Sequence, residues 1–151
     1  MSNVCVDSGF LIGLYDESDQ HHGMAEKHFS YFLDNDFNRL LVPWPMLYEA
    51  VSTRMCRRRN CIAMLEHDWR RLEVRRQLVL LDDRGFRENA MEECLAEIHR
   101  PHERYRTLSL ADRVLRNMLS EVNVRVDILI TFNAGDFVDV CARRGHVIVG
   151  R

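Results

Sequence analysis

Residues 127–137 read Asp127-Ile128-Leu129-Ile130-Thr131-Phe132-Asn133-Ala134-Gly135-Asp136-Phe137. Ile128-Leu129-Ile130 is an unbroken aliphatic run. A strand with one wet face alternates apolar and polar residues, so an unbroken run predicts a strand covered on both sides. Polar side chains follow it at once. The same pattern recurs along the chain. Val4-Cys5-Val6 stops at Asp7, Leu40-Leu41-Val42 lies within Arg39–Pro43, and Leu78–Leu81 and Val147-Ile148-Val149 complete the set. Between these runs apolar residues recur at three and four, the spacing of a helix face. Phe10, Leu11, Leu14 and Tyr15 predict the first helix, and Met24, Ala25, His28, Phe29, Phe32 and Leu33 a second over 22–35. Pro45 suits the first turn of a third running to about Arg57, since proline has no N–H to lose there. Further helices are predicted over 60–76, over 85–98, from Ser109 to about Val122, and over 137–143, where Gly145 stops the last. Segment 99–106 is polar and carries Pro101, and reads as a surface loop. Short buried strands separated by helices predict an α/β fold: a three-layer α/β/α sandwich around a central parallel sheet with right-handed crossovers. With 151 residues and no repeat or linker, a single domain over 1–151 is expected.

In such folds ligands bind beyond the carboxyl ends of the strands. The residues placed there are acids. Asp7 follows the first run, Pro43–Glu49 the second, Asp82 and Asp83 the third, and Thr131, Asn133 and Asp136 the fourth. Asp112 lies in the first turn of the helix before the fourth run. No glycine-rich phosphate loop occupies the first turn, which reads Asp7-Ser8-Gly9-Phe10-Leu11-Ile12, and no G-K-[ST] exists. The D-x-D of dehalogenase-like phosphatases fails at Gly9, Lys27 is poorly placed for a receiver domain, and a G-x-S-x-G elbow is absent. What survives is a set of carboxylates suited to hard divalent cations.

Composition narrows the setting. Net charge is −2, which excludes a generic polyanion binder. All basic residues but Lys27 are arginine, and eight of them crowd between Arg54 and Arg76. That cluster reads either as a solvated helical face or as a contact for phosphates, with Arg57, Arg58 and Arg59 as the candidates for RNA. The five cysteines have no C-x-x-C pair and no disulfide spacing. Cys5 and Cys141 read as small core residues. No stretch is long enough to span a membrane, and the first fifteen residues lack a basic start, so a cytoplasmic location is the expectation.

Four stretches resemble the PIN-domain family. Val4-Cys5-Val6-Asp7-Ser8 is similar to its opening strand, and Tyr48-Glu49-Ala50-Val51 to its helix-borne glutamate. Leu108-Ser109-Leu110-Ala111-Asp112 is similar to its L-s-x-x-D segment. Thr131-Phe132-Asn133-Ala134-Gly135-Asp136-Phe137 is similar to its T-x-N-x-x-D-F segment, the most specific of the four. The resemblance spans the chain and includes the VapC-like toxins of toxin–antitoxin pairs. It implies a PIN-like fold and a ribonuclease using Mg²⁺ or Mn²⁺. Asp7, Glu49, Asp112 and Asp136 would be the catalytic acids, with Asp7, Asp112 and Asp136 as metal ligands. Ser8, Thr131 and Asn133 would position water or substrate. It also implies RNA as substrate, a 3′-hydroxyl and a 5′-phosphate as products, an antitoxin partner and a homodimer.

Each residue has a local alternative. Asp7 could cap the first helix, Ser109 and Asp112 could form a capping box, and Asp136 could cap the last helix. Glu49 points away from Leu47, Ala50 and Val51 at about 100° per residue and could simply face solvent. Ser8, Thr131 and Asn133 could make local turn bonds. Asp82 and Asp83 read as turn and helix-start residues, and His21 and His22 as solvent-facing. A silent RNA- or protein-binding module and a hydrolase of small phosphate esters are the rival functions.

Overall fold

The computed structural model describes residues 1–100 and 107–150. Most of the polar 99–106 segment therefore lies outside the described residues. Five strands form: β1 (Asn3–Val6), β2 (Arg39–Pro43), β3 (Leu78–Leu81), β4 (Ile128–Ile130) and β5 (Val147–Val149). Every pairing is parallel, in the order β3-β2-β1-β4-β5. The helices are α1 (Ser8–Tyr15), α2 (His22–Leu33), α3 (Trp44–Ala50), α4 (Thr53–Cys56), α5 (Arg59–Val74), α6 (Arg87–Glu97), α7 (Leu110–Ser120) and α8 (Val138–Arg144).

β1 is the central strand. Val4, Cys5 and Val6 are all 0% exposed, although successive residues point to opposite faces of a sheet. Helices must therefore cover both faces, which is the layered α/β arrangement that the unbroken aliphatic runs predict. Each of the two valines contributes roughly 1.5–3 kcal/mol when fully buried. The buried cluster continues through Phe10, Leu14, Leu41, Met46, Leu115, Leu129 and Phe137, so α1, α3, α7 and the segment after β4 are fixed by the same core as β1. Gly145 ends α8 in the left-handed conformation at φ 74°, as its place after the last periodic residue predicts.

One helix boundary differs from the sequence reading. The helix expected from Pro45 to Arg57 breaks in two. Val51 (φ −85°, ψ 57°) and Ser52 (φ −79°, ψ 175°) leave the helical region, and α4 restarts at Thr53 with Ser52 as its N-cap. Ser-Thr is a pair that favours helix starts over helix interiors, which accounts for the break. The histidines at the start of α2 also differ. His21 stacks on Phe132 with ring centroids 4.2 Å apart, and His22 Nδ1 lies 2.8 Å from the Gly13 carbonyl. The α1–α2 turn folds back on α1 and half-buries both rings, where a solvent-facing pair was expected.

Candidate active site

The sheet order turns at β1: β2 and β3 extend to one side, β4 and β5 to the other. The crevice outside the carboxyl ends of β1 and β4 is therefore where an α/β sheet accepts a ligand. The strand register decides what lines it. Val6 lies beside Ile130, so the next residues, Asp7 and Thr131, leave the sheet side by side. Their side chains meet, the Thr131 hydroxyl donating to Asp7 Oδ2. Asp7 Oδ1 accepts from the Phe10 backbone N–H at 2.8 Å. Asp7 is thus the N-cap of α1, the local role its position allowed. That role leaves lone pairs on both oxygens, since an ionised carboxylate has about four acceptor sites.

Asp7 is only 3% exposed. Burial pushes its carboxyl from 3.8 up to about 6; the bonds from Thr131 and Phe10 oppose this, and the charges of Asp112 and Glu49 push it up further. The acids are therefore close enough to repel one another in the ionised state. No Arg, Lys or His among the described residues forms an ion pair with Asp7.

Glu49 and Asp112 lie near enough for their charges to act on it, and Thr131 and Asn133 lie beside it. Glu49 is exposed, but it faces α1: its Oε2 accepts from the Ser8 hydroxyl at 2.6 Å. Ser8 thereby ties α3 to the start of α1. Thr131 is 0% exposed and also accepts from the Asn133 backbone N–H at 3.0 Å. It makes the local turn bond that the sequence allowed and reaches the site through Asp7. Asn133 is exposed. A Cβ built on Gly9 would lie 3.7 Å from Asp7 Oδ1 and 3.9 Å from Asn133 Nδ2, which puts the amide, the carboxylate and the first turn of α1 together. Asp112 sits in the first turn of α7, where its backbone N–H donates to the Ser109 hydroxyl at 3.1 Å, half of a capping box.

Asp136 is 8% exposed and ends a 3₁₀ turn, Ala134–Asp136. It does not cap α8; Phe137 holds that position with no side-chain bond. Arg116 donates to the Asp136 carbonyl at 2.6 Å and forks onto Asp139 at 2.7 and 2.8 Å, holding the Asp139 carboxyl down to about 2. The sequence reading passed over Arg116. The available signal is its spacing, four residues after Asp112 and hence on the same face of α7.

Arg58 and Arg59 lie toward the other end of α1, lining one pocket with Tyr15 and Asp16. Arg58 pairs with Asp16 at 2.7 Å. Asp16 is the C-cap of α1, about 14 Å from the N-cap Asp7 at 1.5 Å per residue. Asp82 and Asp83 are turn residues as read. Asp82 accepts from the Arg84 backbone, and Asp83 binds Arg87 in a fork at 2.8 and 2.9 Å. Cys5, Cys61 and Cys141 are buried free thiols.

Among the described residues no three His, Cys, Asp or Glu side chains are drawn together closely enough to hold one ion. The donor set nevertheless fits a hard divalent cation in kind. It is made of carboxylates with hydroxyl and amide groups beside them, and its most buried member carries a carboxyl that extra positive charge would stabilise as the anion. Among the described residues no helix is long and apolar enough to cross a membrane.

No family model and no curated protein matches the chain. Two solved structures superpose on most of it. One is Mycobacterium tuberculosis VapC20, a toxin that cleaves the sarcin-ricin loop. It aligns at a TM-score of 0.61 and 15% identity over 90% of this chain and 94% of its own. The other is VapBC2 from Rickettsia felis bound to a promoter DNA fragment, at a TM-score of 0.54 and 9% identity over 98% of each chain. The chain has a PIN-like fold. Identities this low establish the PIN-like fold and not the activity.

Proposed function

We propose that this chain is a divalent-metal-dependent endoribonuclease, and that it serves as the toxin of a toxin–antitoxin pair. The observation that supports it is Asp7. A 3% exposed carboxylate stands at the sheet's switch point with its carboxyl raised to about 6, and Asp112 and Glu49 add negative charge to it. Raised carboxyls grouped in a crevice are more common in functional sites than in scaffolds. In this reading Asp7, Asp112 and Asp136 hold Mg²⁺ or Mn²⁺, and Glu49 completes the acidic set. When bound, such ions activate water and neutralise charge on a phosphodiester. The chain's own groups do the rest. Thr131 and the Phe10 N–H hold the Asp7 carboxylate in one orientation. Ser8 orients Glu49, and Asn133 offers an amide to water or substrate. Arg57 and Arg59 contact the RNA backbone away from the reaction centre.

The VapC likeness motivates RNA as substrate, an antitoxin as partner and a homodimer as the assembly. The test is cleavage of RNA with Mg²⁺ or Mn²⁺ by the wild-type chain and by Asp7→Asn. Cleavage by the first and not the second is expected; equal rates would overturn the assignment. The absence of a tight three-donor group among the described residues favours one rival, a PIN-like module that binds RNA or protein without cutting it. Calorimetry distinguishes the two: a nuclease takes up Mn²⁺ through Asp7, and a silent module shows no heat of binding.

A further inference from the structure

α3 starts Pro43-Trp44-Pro45, with Pro43 as its N-cap and Pro45 in its first turn. Both prolines fix φ, so the start of this helix is rigid. Trp44 and Tyr48 stand four residues apart and share one face. Their ring centroids are 5.9 Å apart with planes at 35°. Tyr48 is 71% exposed and Trp44 38%, although the core is close by. Tyr48 opens onto a groove of about 620 Å³ whose walls include Pro45, Glu49, Arg87, Leu110 and Ala111. The volume lies in the range of small-ligand pockets. The groove is continuous with the acids at two points. Glu49 is part of its wall, and Leu110-Ala111 leads directly into Asp112.

We infer that Tyr48, backed by Trp44, is a stacking platform for an unpaired RNA base, seated in this groove one step along the strand from the acids. The inference rests on the ribonuclease reading. An aromatic ring held rigidly by a helix loses little entropy on stacking, and every base offers it a π-face. A base in a duplex is already stacked and cannot enter. The platform therefore selects single-stranded or looped RNA, the form in which bases are splayed onto aromatic side chains. Arg87 lines the same groove as Tyr48, and its fork onto Asp83 fixes the guanidinium. The groove therefore offers a base both an aromatic ring and a fixed guanidinium.

The test uses the full chain carrying Asp7→Asn, so that RNA stays intact in Mg²⁺. Anisotropy titrations compare a labelled single-stranded decanucleotide with copies that have one base removed at successive positions. Tyr48→Ala is expected to weaken binding of the complete strand by about 5- to 150-fold. It should cost nothing further on the copy whose missing base is the one that stacks. Tyr48→Phe should keep the affinity. Equal loss on every strand, or no loss, would overturn the platform. So would sedimentation showing a dimer that Tyr48→Ala dissociates, which would give the groove to a second copy. A chain that cleaves RNA but shows no base-dependent loss at Tyr48 defeats this inference alone. A chain that neither cleaves nor binds RNA defeats the ribonuclease reading as well.

Discussion

The two ends of α1 carry two aspartates, both with little exposed surface but at different depths below it, that behave in opposite ways. Asp7 caps the start and is 3% exposed; Asp16 caps the end and is 7% exposed. Burial raises the carboxyl of Asp7 to about 6. The Ser18 hydroxyl, its backbone N–H, Arg58 and Arg54 lower that of Asp16 despite its burial. Asp16 has been supplied with cations by the fold, and Asp7 has been supplied with other acids. A buried charge without a cation is costly. Where a chain keeps one beside further acids, an external cation is the economical reason. In the proposed reading, the contrast separates an acid that stabilises the fold from one that binds an ion.

The largest expected effect tests that separation directly. Asp7→Asn keeps the shape and the acceptor for the Phe10 N–H but removes the charge. RNA cleavage should fall by at least about 100-fold, the scale of losing a preorganised charge at a reaction centre. Asp16→Asn should leave the specific cleavage rate within about threefold and instead lower stability by about 1–3 kcal/mol, as expected when a buried hydrogen-bonded carboxylate is lost. Rates that fall equally in the two variants would erase the distinction.

The stability of the same variants against pH should run in opposite directions. The folded chain binds the Asp7 proton more tightly than the unfolded chain does, so wild-type stability falls as pH rises from about 4 to about 6. Above that window the full penalty is about 3 kcal/mol. Asp7→Asn should therefore melt higher than wild type at pH 7, with the two converging near pH 4. Asp16 has a lowered carboxyl, so its contribution is present above the unfolded value and is lost as pH falls through the folded one. Asp16→Asn should melt lower at pH 7 and converge with wild type in acid. Thermal melts across pH 2–8 measure both, the Asp7 window lying between about pH 4 and 6 and the Asp16 window below about pH 4.

A smaller effect comes from the ion. Mn²⁺ at about ten times its Kd stabilises a chain that binds it when folded by about 1.4 kcal/mol. The wild-type melting temperature should rise by a few degrees and fall back on chelation. Asp7→Asn should show no shift, and Asp16→Asn should keep it. A shift that survives in Asp7→Asn would move the ion site elsewhere.

The fold was legible in the sequence because it depends on something a single chain shows. Val4-Cys5-Val6 and Ile128-Leu129-Ile130 can be buried on both faces only in a covered parallel sheet. The acids after those runs were legible for the same reason. The break at Val51-Ser52 was hidden, because a two-residue cap signal was outweighed by the apolar spacing on either side of it. Thr131 as the partner of Asp7 needs strand register, and nothing in the sequence states that Val6 pairs with Ile130. Arg116 needs the path of the 3₁₀ turn. Whether Glu49 is an idle surface residue or part of the site depends on α3 packing against α1, and periodicity alone favoured the idle reading.

The arginines show the same limit and give the smallest effect. A run of Arg57, Arg58 and Arg59 reads as one patch, yet the structure assigns at least one of them a different task. Arg58 is bound to Asp16 and to the Ser18 hydroxyl, so its charge is already matched. Arg57 and Arg59 are exposed. If they meet RNA, they do so through phosphates about a helix length from Asp7, where each neutralised phosphate adds roughly one to the salt slope. Arg57→Gln with Arg59→Gln should weaken RNA binding severalfold and lower the slope by up to about 2, with the melting temperature unchanged. Arg58→Gln should do the reverse, lowering the melting temperature while leaving the slope alone, because it removes a cation from Asp16 and none from the RNA. A slope that drops for Arg58→Gln would mean that the pair with Asp16 opens when RNA binds. The two ends of α1 would then act on the same ligand.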